Sequence, residues 1–338
     1  MALNPGQSDI KVVYNDTDIT PVVTSVEWSG DVMSAYRTLT ISLTNTLDGR
    51  KRIFTFEKGA EIRFYNAGTE LFRGVIFADE ISSDGKHSIT AYDENVYLTK
   101  SIDTRKFTNM KASDIVRRLC SDFGIPVGSI ADTGYVIPKL ILRDKTLYDM
   151  IITALTETKK HTGRRFILLN KGGKLVLQER KAQVTQFIIE NGVNIISARY
   201  SQSIEDMKTQ VKVIGGDPDK NPIVATAKND ALIKKYGIMQ HLENADSKLN
   251  KSQIEQLARQ LLKEHGTIDD EATVEAIGID SVIAGTSVYV KEPLTGIVGG
   301  YYVITDSHRY ENGTHTMSIT LSKTDELPEL EYEDEEAS

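Results

Sequence analysis

The chain has 338 residues, 40% hydrophobic and 26% charged, which allows two to three domains and a sizeable buried core. No run of 18 apolar residues occurs, the first twenty residues are too polar for the apolar centre of a secretory signal, and a single cysteine, Cys120, excludes an intrachain disulfide or a cysteine-based zinc site. Eight of the 48 acidic residues fall from Asp325 onward, where no basic residue stands, so the remainder balances the 40 basic ones, and the body offers no broad electrostatic footprint for a nucleic acid.

Residues 10–100 read almost wholly as strand, within a first β domain expected over 1–100. Ile10–Tyr14, Val22–Trp28, Tyr36–Leu43 and Arg52–Phe56 carry β-branched and aromatic residues, broken by Asn15-Asp16, Ser29-Gly30-Asp31 and Asp48-Gly49. A meander follows, with strands predicted over Glu61–Tyr65, Glu70–Ile81 and Lys86–Tyr92 around the turns Asn66-Ala67-Gly68 and Ser82-Ser83-Asp84-Gly85. On its central strand Leu71, Gly74, Ile76 and Ala78 are expected on one side, with Phe72, Val75 and Phe77 on the other. About seven strands at short spacing are the pattern of a barrel or sandwich.

The pattern changes at Ser101. Met110–Phe123 places Ile115, Val116, Leu119, Cys120 and Phe123 on one helical face, with Thr108 or Asn109 as cap and Gly124 as stop. Thr146–Lys160 is a second helix, ending near Gly163, and Arg165–Leu169 with Lys174–Gln178 form a hairpin. Residues 101–184 thus read as a small α/β domain. Strand pattern returns at Gln186, includes Ile195–Tyr200 and Met207–Ile214, and resumes at Thr273. A second β domain is therefore expected over 185–225 and 273–324, interrupted by an insertion, 226–272, that holds one amphipathic helix, Lys251–His265. Residues 325–338 are expected to be a disordered acidic tail. Thr38–Leu43 and Thr316–Leu321 share one alternation, a weak internal repeat.

A search for chemistry returns no catalytic, cofactor-binding or metal-ligating residue. Cys120 lies on the apolar stripe of its helix, as a structural thiol would. His87, His161, His241, His265, His308 and His315 show no metal spacing, although His308 and His315 flank the last hairpin near Asp306 and Glu311 and could meet across strands. Asp269-Asp270-Glu271 sits in a polar loop, where carboxylates are expected anyway, and the basic run Lys159-Lys160-His161-Thr162-Gly163-Arg164-Arg165 is what the end of a helix favours. No phosphate loop, dinucleotide fingerprint or nucleophile elbow is present.

Two stretches carry a resemblance. The order Leu71-Phe72-Arg73-Gly74-Val75-Ile76, polar hairpin, Ala91-Tyr92-Asp93 and Tyr97-Leu98, together with Lys235-Tyr236-Gly237, the Ile254–His265 helix, Gly285-Thr286-Ser287-Val288-Tyr289-Val290 and Tyr301–Leu321, resembles the baseplate hub proteins of contractile phage tails and phage-tail-like particles. The similarity lies with the hub family of Gram-positive prophages, related to late control protein D and tail-tube-like hubs. It implies a mainly β fold with α+β insertions: two tail-tube-like antiparallel β-barrels, a small α/β domain that is LysM-like around Thr108–Ile130, and a helical insertion. It further implies a non-enzymatic homotrimer whose pseudo-sixfold ring joins the hexameric tail tube to the trimeric central spike in a virion or tail-like particle. Its expected partners are the tail tube protein, the central spike protein and other baseplate proteins, with the tape measure protein a further candidate. No specific nucleic-acid binding and no membrane segment are expected. The alternative reading is a tail-delivered cell-wall hydrolase, for which Glu271 or His308 would be the residues to change, or a glycan-binding module.

Overall fold

The computed structural model describes residues 6–180, 187–217, 221–245, 249–325 and 327–332. Two compact units emerge, one built from the chain up to Arg199 and again from Ala272, the other from Tyr200–Glu271.

The first unit begins with β1 (Ile10–Tyr14), β2 (Thr17–Asp18), β3 (Val23–Asp31), β4 (Thr38–Thr44), β5 (Glu61–Asn66), β6 (Thr69–Ile81) and β7 (Lys86–Tyr92). A short helix, α1 (Val96–Lys100), leads into a layer made of β8 (Ile102–Lys111), α2 (Ala112–Asp122), β9 (Val127–Ile130), β10 (Val136–Thr146), α3 (Leu147–Thr162), β11 (Phe166–Lys171) and β12 (Lys174–Glu179). β13 (Phe187–Glu190) and β14 (Ile195–Ser203) follow. After the second unit, which holds β15 (Gln210–Asp217), β16 (Asn221–Lys228), α4 (Asp230–Tyr236), β17 (Gln240–Asn244) and α5 (Lys251–His265), come β18 (Asp269–Ile277), β19 (Ser287–Glu292), β20 (Ile297–Glu311) and β21 (Thr314–Ser322).

The fold is mainly β, as the sequence implies, but the two β regions are not separate barrels. Their strands share one 13-stranded sheet in the order β14-β18-β21-β20-β3-β4-β7-β6-β5-β1-β2, with β19 and β13 branching from β20. The ladder joins no strand back to its start among the described residues, so no closed barrel forms within the chain. Two apolar clusters still flank the β3–β20 seam. Val26, Leu39, Ile41, Ile62, Phe64, Ile76 and Ile89 fill one, and Val274, Val288, Val290, Val303 and Ile319 the other.

Strand alternation accounts for most of the inward residues, and β6 shows where it breaks. Phe72, Gly74 and Ile76 face inward, whereas Leu71 is only partly buried and Ala78 is exposed. Residues of one parity share a face, so Leu71 could not join Gly74, and a bulge between Ile76 and Ala78 resets the register. Gly74 is required by close approach, since a Cβ there would stand 2.2 Å from the Tyr92 carbonyl oxygen. Arg52–Phe56 is not a strand: only an isolated bridge from Thr46 to Arg52 forms, and the segment is held by Asn45, whose Oδ1 accepts from the Ile53 and Phe54 amides at 3.1 and 2.8 Å.

In the α/β layer, α3 starts at the Thr146 cap, whose hydroxyl accepts from the Asp149 amide, and stops at Gly163 with φ 70°. α2 is shorter than expected because Thr108–Lys111 extends β8, which pairs with β10. Its cap is not Thr108 or Asn109; the buried Ser113 amide donates instead to Thr133 Oγ1, 3.2 Å away and distant in sequence. β9 pairs parallel to β12 beside the predicted hairpin, β11–β12.

The second unit begins earlier than the expected insertion. Met207–Ile214 belongs there and not to the second β region: β15 lies between β16 and β17 in a three-stranded sheet of its own. Gly215 and Gly216 continue β15, and Gly215 leaves room for Ile254 of α5, whose Cδ1 would be 2.5 Å from an added Cβ. α5 has the predicted bounds, with a capping box in which the Asn250 and Gln253 side chains each accept from the other's backbone amide.

The C-terminal stretch is also corrected in part. Asp325 and residues 327–332 pack along the α/β layer, with Leu327 buried and Tyr332 against the α2–α3 core. The acidic side chains find basic partners there, which a freely solvated tail would not. Residues 333–338 of the expected tail, and Gln186 at the expected return of strand pattern, lie outside the described residues.

Candidate assembly interface

The seam between β3 and β20 aligns His308 with Trp28 and Tyr310 with Val26. It is polar inside. Asp306 is fully buried and accepts from Arg37 Nη1 at 2.9 Å, from Arg37 Nη2, and from the Ala284 amide at 2.6 Å. The Arg37 guanidinium lies over the Trp28 ring, 4.1 Å from its centre.

Next to this pair, the two histidines noted in the sequence do meet. The Val282 carbonyl can only accept, so His308 Nε2 donates to it at 2.9 Å, and the remaining His308 nitrogen, Nδ1, accepts from His315 Nε2 at 2.9 Å. His315 Nδ1 then faces Asp280 Oδ1 at 3.4 Å, and Asp280 accepts from the Tyr310 hydroxyl at 2.7 Å and from Asn66 Nδ2 at 2.9 Å. Burial lowers the pKa of His308, and burial together with His308 pushes His315 down to about 4. Burial and the Asp280 carboxylate raise the Tyr310 phenol. Both imidazoles are therefore neutral core donors and acceptors at neutral pH, placed neither in a cleft nor on a turn. Among the described residues no three His, Cys, Asp or Glu side chains are grouped to hold a metal.

His87 occupies the matching place in the other half. Asn45 Nδ2 donates to its Nδ1 at 2.8 Å, so Nε2 donates to Asp79 Oδ2 at 2.9 Å. Burial lowers its pKa as well. The likeness extends along both hairpins. Asp84-Gly85-Lys86-His87-Ser88 corresponds to Asn312-Gly313-Thr314-His315-Thr316, and Val75-Ile76 to Val303-Ile304. In the ladders Asp79 faces Ile89, two residues past His87, and His308 faces Met317, two residues past His315. The β6–β7 hairpin is thus the counterpart of β20–β21. The likeness of Thr38–Leu43 to Thr316–Leu321 does not mark equivalent strands, because β4 is third in its run and β21 second. A search for turn-plus-histidine spacing would have found the true repeat.

Read from β6, the sheet runs β6-β7-β4-β3 and then β20-β21-β18-β14. Each run of four starts with a histidine-bearing hairpin, and each ends in a nine-residue strand, β3 or β14. In β20, residues Thr305–Glu311 pair with β3. On the matching strand β6, the part beyond β5, Phe77–Ile81, pairs among the described residues with β7 alone, since β5 covers only Thr69–Val75. Among the described residues β14 pairs with β18 alone, so two strand edges that match the internal seam have no second partner strand there.

The remaining sequence candidates lie apart from the seam. Cys120 is buried, and burial pushes its thiol up to about 11. Asp269, Asp270 and Glu271 are exposed on β18, with Tyr200 donating to Asp270 at 3.1 Å. Lys159, Lys160, Arg164 and Arg165 each pair with a carboxylate of the chain. A cavity of about 340 Å³ lies between the β3–β4 connection and β11, lined by Trp28, Tyr36, Leu71 and Ile167 among others. Asp93 at its edge is pushed up to about 7 by burial and accepts from the Arg37 and Asn95 amides, which fixes the turn into α1. No helix of the described residues is long and apolar enough to cross a membrane.

Comparison with known proteins agrees with this architecture. The 43 kDa tail protein of prophage MuSo2 from Shewanella oneidensis has the same fold, with a TM-score of 0.69 over 93% of this chain and 98% of that one at 13% identity. Two proteins of Bacillus subtilis (strain 168) are 35% identical: "Uncharacterized protein YqbQ", over 94% of this chain and 97% of its own, and "Phage-like element PBSX protein XkdQ", over 94% and 98%. The YQBQ-like family pattern matches residues 26–322. The chain belongs to the YQBQ-like family.

Proposed function

We propose that this chain is a structural baseplate hub of a contractile phage tail or tail-like particle. Three copies form a pseudo-sixfold ring that joins the hexameric tail tube to the trimeric central spike. The observation that carries this reading is the head-to-tail order of the two strand runs. The end of the first, β3, pairs with the start of the second, β20, while the end of the second, β14, and the start of the first, Phe77–Ile81 of β6, have no second partner strand among the described residues. Repetition of the internal seam between copies is a heterologous contact, which closes into a ring when its rotation allows. Unpaired edges of this kind are otherwise a liability in a folded protein.

On this reading each run acts as one tube-like barrel unit, and the α/β layer, read as LysM-like in the sequence, is an outer attachment. The tube and spike proteins are the neighbours above and below, other baseplate proteins surround the ring, and the tape measure protein is a further neighbour. The chain works by its surfaces and not as an enzyme, and the particle is assembled in the host cytoplasm. Kinship with a protein of a phage-like element and the fold of a prophage tail protein support this placement.

Light scattering over a concentration series, with negative-stain images of the main peak, tests it. A trimeric ring with an open centre is expected, and Ile196→Lys on β14 is expected to shift it toward monomer. A monomer that stays a monomer when tube and spike proteins are added would sink the reading.

A further inference from the structure

The basic run at the end of α3 and the acidic residues after β21 were singled out in the sequence as separate features. The fold brings them together. Asp325 is clamped by Arg165 Nη1 at 3.1 Å and Arg180 Nη2 at 2.7 Å, and Arg165 Nη2 also donates to its carbonyl. Arg180 lies 5.2 Å from the centre of the Tyr302 ring on β20. Leu327 then enters a small cluster with Val32, Ile167 and Ala284, one residue from each part of the first unit. Farther on, Glu329 pairs with Lys159 and Glu331 with Lys160, while the Leu330 amide donates to Thr156 Oγ1 at 3.0 Å. The Ile141 amide donates to the Tyr332 hydroxyl at 3.2 Å, and the Tyr332 ring packs on the α2–α3 core.

The segment thus alternates apolar anchors, Leu327 and Tyr332, with carboxylates read by lysines and arginines. Its backbone is fixed by side chains of the layer and not by a strand ladder. We propose that this surface, formed by α3, the start of β11 and the middle of β10, is a binding site for an extended acidic peptide with apolar anchors. Asp325 and residues 327–332 are its occupant within the chain, and the same segment of a second copy can replace them. An end segment held by paired charges and two anchors is the kind of element that exchanges between identical chains at little cost. The site is independent of the strand-edge contacts of the ring.

The test uses full-length chains. One variant, Leu327→Asp with Tyr332→Ala, loses the anchors but keeps the site. Another, Lys159→Glu with Lys160→Glu, weakens the site but keeps the segment. A labelled synthetic peptide of residues 323–334 is expected to bind the first variant saturably and to leave the wild type unbound at micromolar concentration, because the tethered segment competes at an effective concentration on the order of millimolar. Adding the two lysine reversals to the first variant weakens peptide binding roughly tenfold, and a peptide with Glu329→Lys and Glu331→Lys recovers it. Mixing the two variants is expected to give a complex of both chains by light scattering. A first variant that is folded by circular dichroism yet binds no peptide, or binds it equally with reversed lysines, overturns the site; failure of the mixed complex overturns exchange. If the first variant does not fold, hydrogen exchange at the Leu330 amide decides. Lys160→Glu speeds it and Lys160→Glu with Glu331→Lys restores it, whereas equal rates in both and in the wild type overturn the proposal.

Discussion

The two histidine hairpins are built alike but are closed differently. His87 in β7 donates to the carboxylate of Asp79, which is itself near the surface, while His315 in β21 donates to a second imidazole, His308, in a fully buried seam. The difference follows from what lies beyond each hairpin. The matching edge of β20 is covered by β3, so its polar groups must be satisfied inside the protein, and the network grows to include Asp280, Tyr310, Asn66 and the Arg37–Asp306 pair. The edge of β6 has no covering strand among the described residues, and Asn45 and the Asp79 carboxylate suffice. The same local structure thus costs more polar machinery where it is enclosed.

Breaking the enclosed hairpin should have the largest effect. Asp306→Ala would leave the Arg37 charge buried without its partner and should cost about 3–5 kcal/mol in urea denaturation. The acid response should separate the hairpins next. The unfolded chain binds a proton on His315 below about pH 6.5, but the folded chain does so only below about 4. Stability is therefore lost as pH falls through that window, by roughly 3 kcal/mol, and His315→Gln should remove most of this slope in melts at stepped pH. In the first hairpin Asn45→Ala would leave the Phe54 amide and His87 Nδ1 without their side-chain partner, while the Ile53 amide keeps the Asn45 carbonyl, and a loss of about 1–3 kcal/mol is expected by denaturation. The turns give the smallest contrast. Gly313 has φ 73° and open space around a Cβ, so Gly313→Ala should cost about 1–2 kcal/mol of backbone strain by thermal melting. Gly85→Ala, where a Cβ would meet Thr46 Cγ2 at 2.3 Å, should cost more, and equal costs would remove the packing difference between the turns.

Much of the local structure was legible in the residues. Helix α5 has the predicted bounds because its cap, its apolar stripe at Ile254, Leu257, Ala258 and Leu261, and Gly266 all agree. α3 is as clear, from Thr146 to Gly163. What stayed hidden depends on distant partners. The Thr133 hydroxyl that serves the α2 terminus cannot be read from residues 108–112, and Arg52–Phe56 looks like a strand until Asn45 takes its amides. Fusion of the two β regions was invisible because β3 is an ordinary amphipathic strand whichever strand lies beside it. Of the site, the buried Cys120 and the meeting of His308 with His315 are legible in the sequence, but the burial of the two histidines in the seam is not. His87 was passed over because its partner, Asp79, stands across the hairpin and not beside it in sequence.

The β3–β20 seam also sets a schedule for synthesis. The strand that covers the edge of β3 is made long after β3 itself, so the first β region waits through the intervening synthesis with that edge open. Contacts this far apart along the chain form slowly and leave partly built states prone to sticking to one another. Closure of the seam therefore waits until β20 has been made, and a chain cut short before β20 lacks the seam on which its neighbour's contact would be patterned.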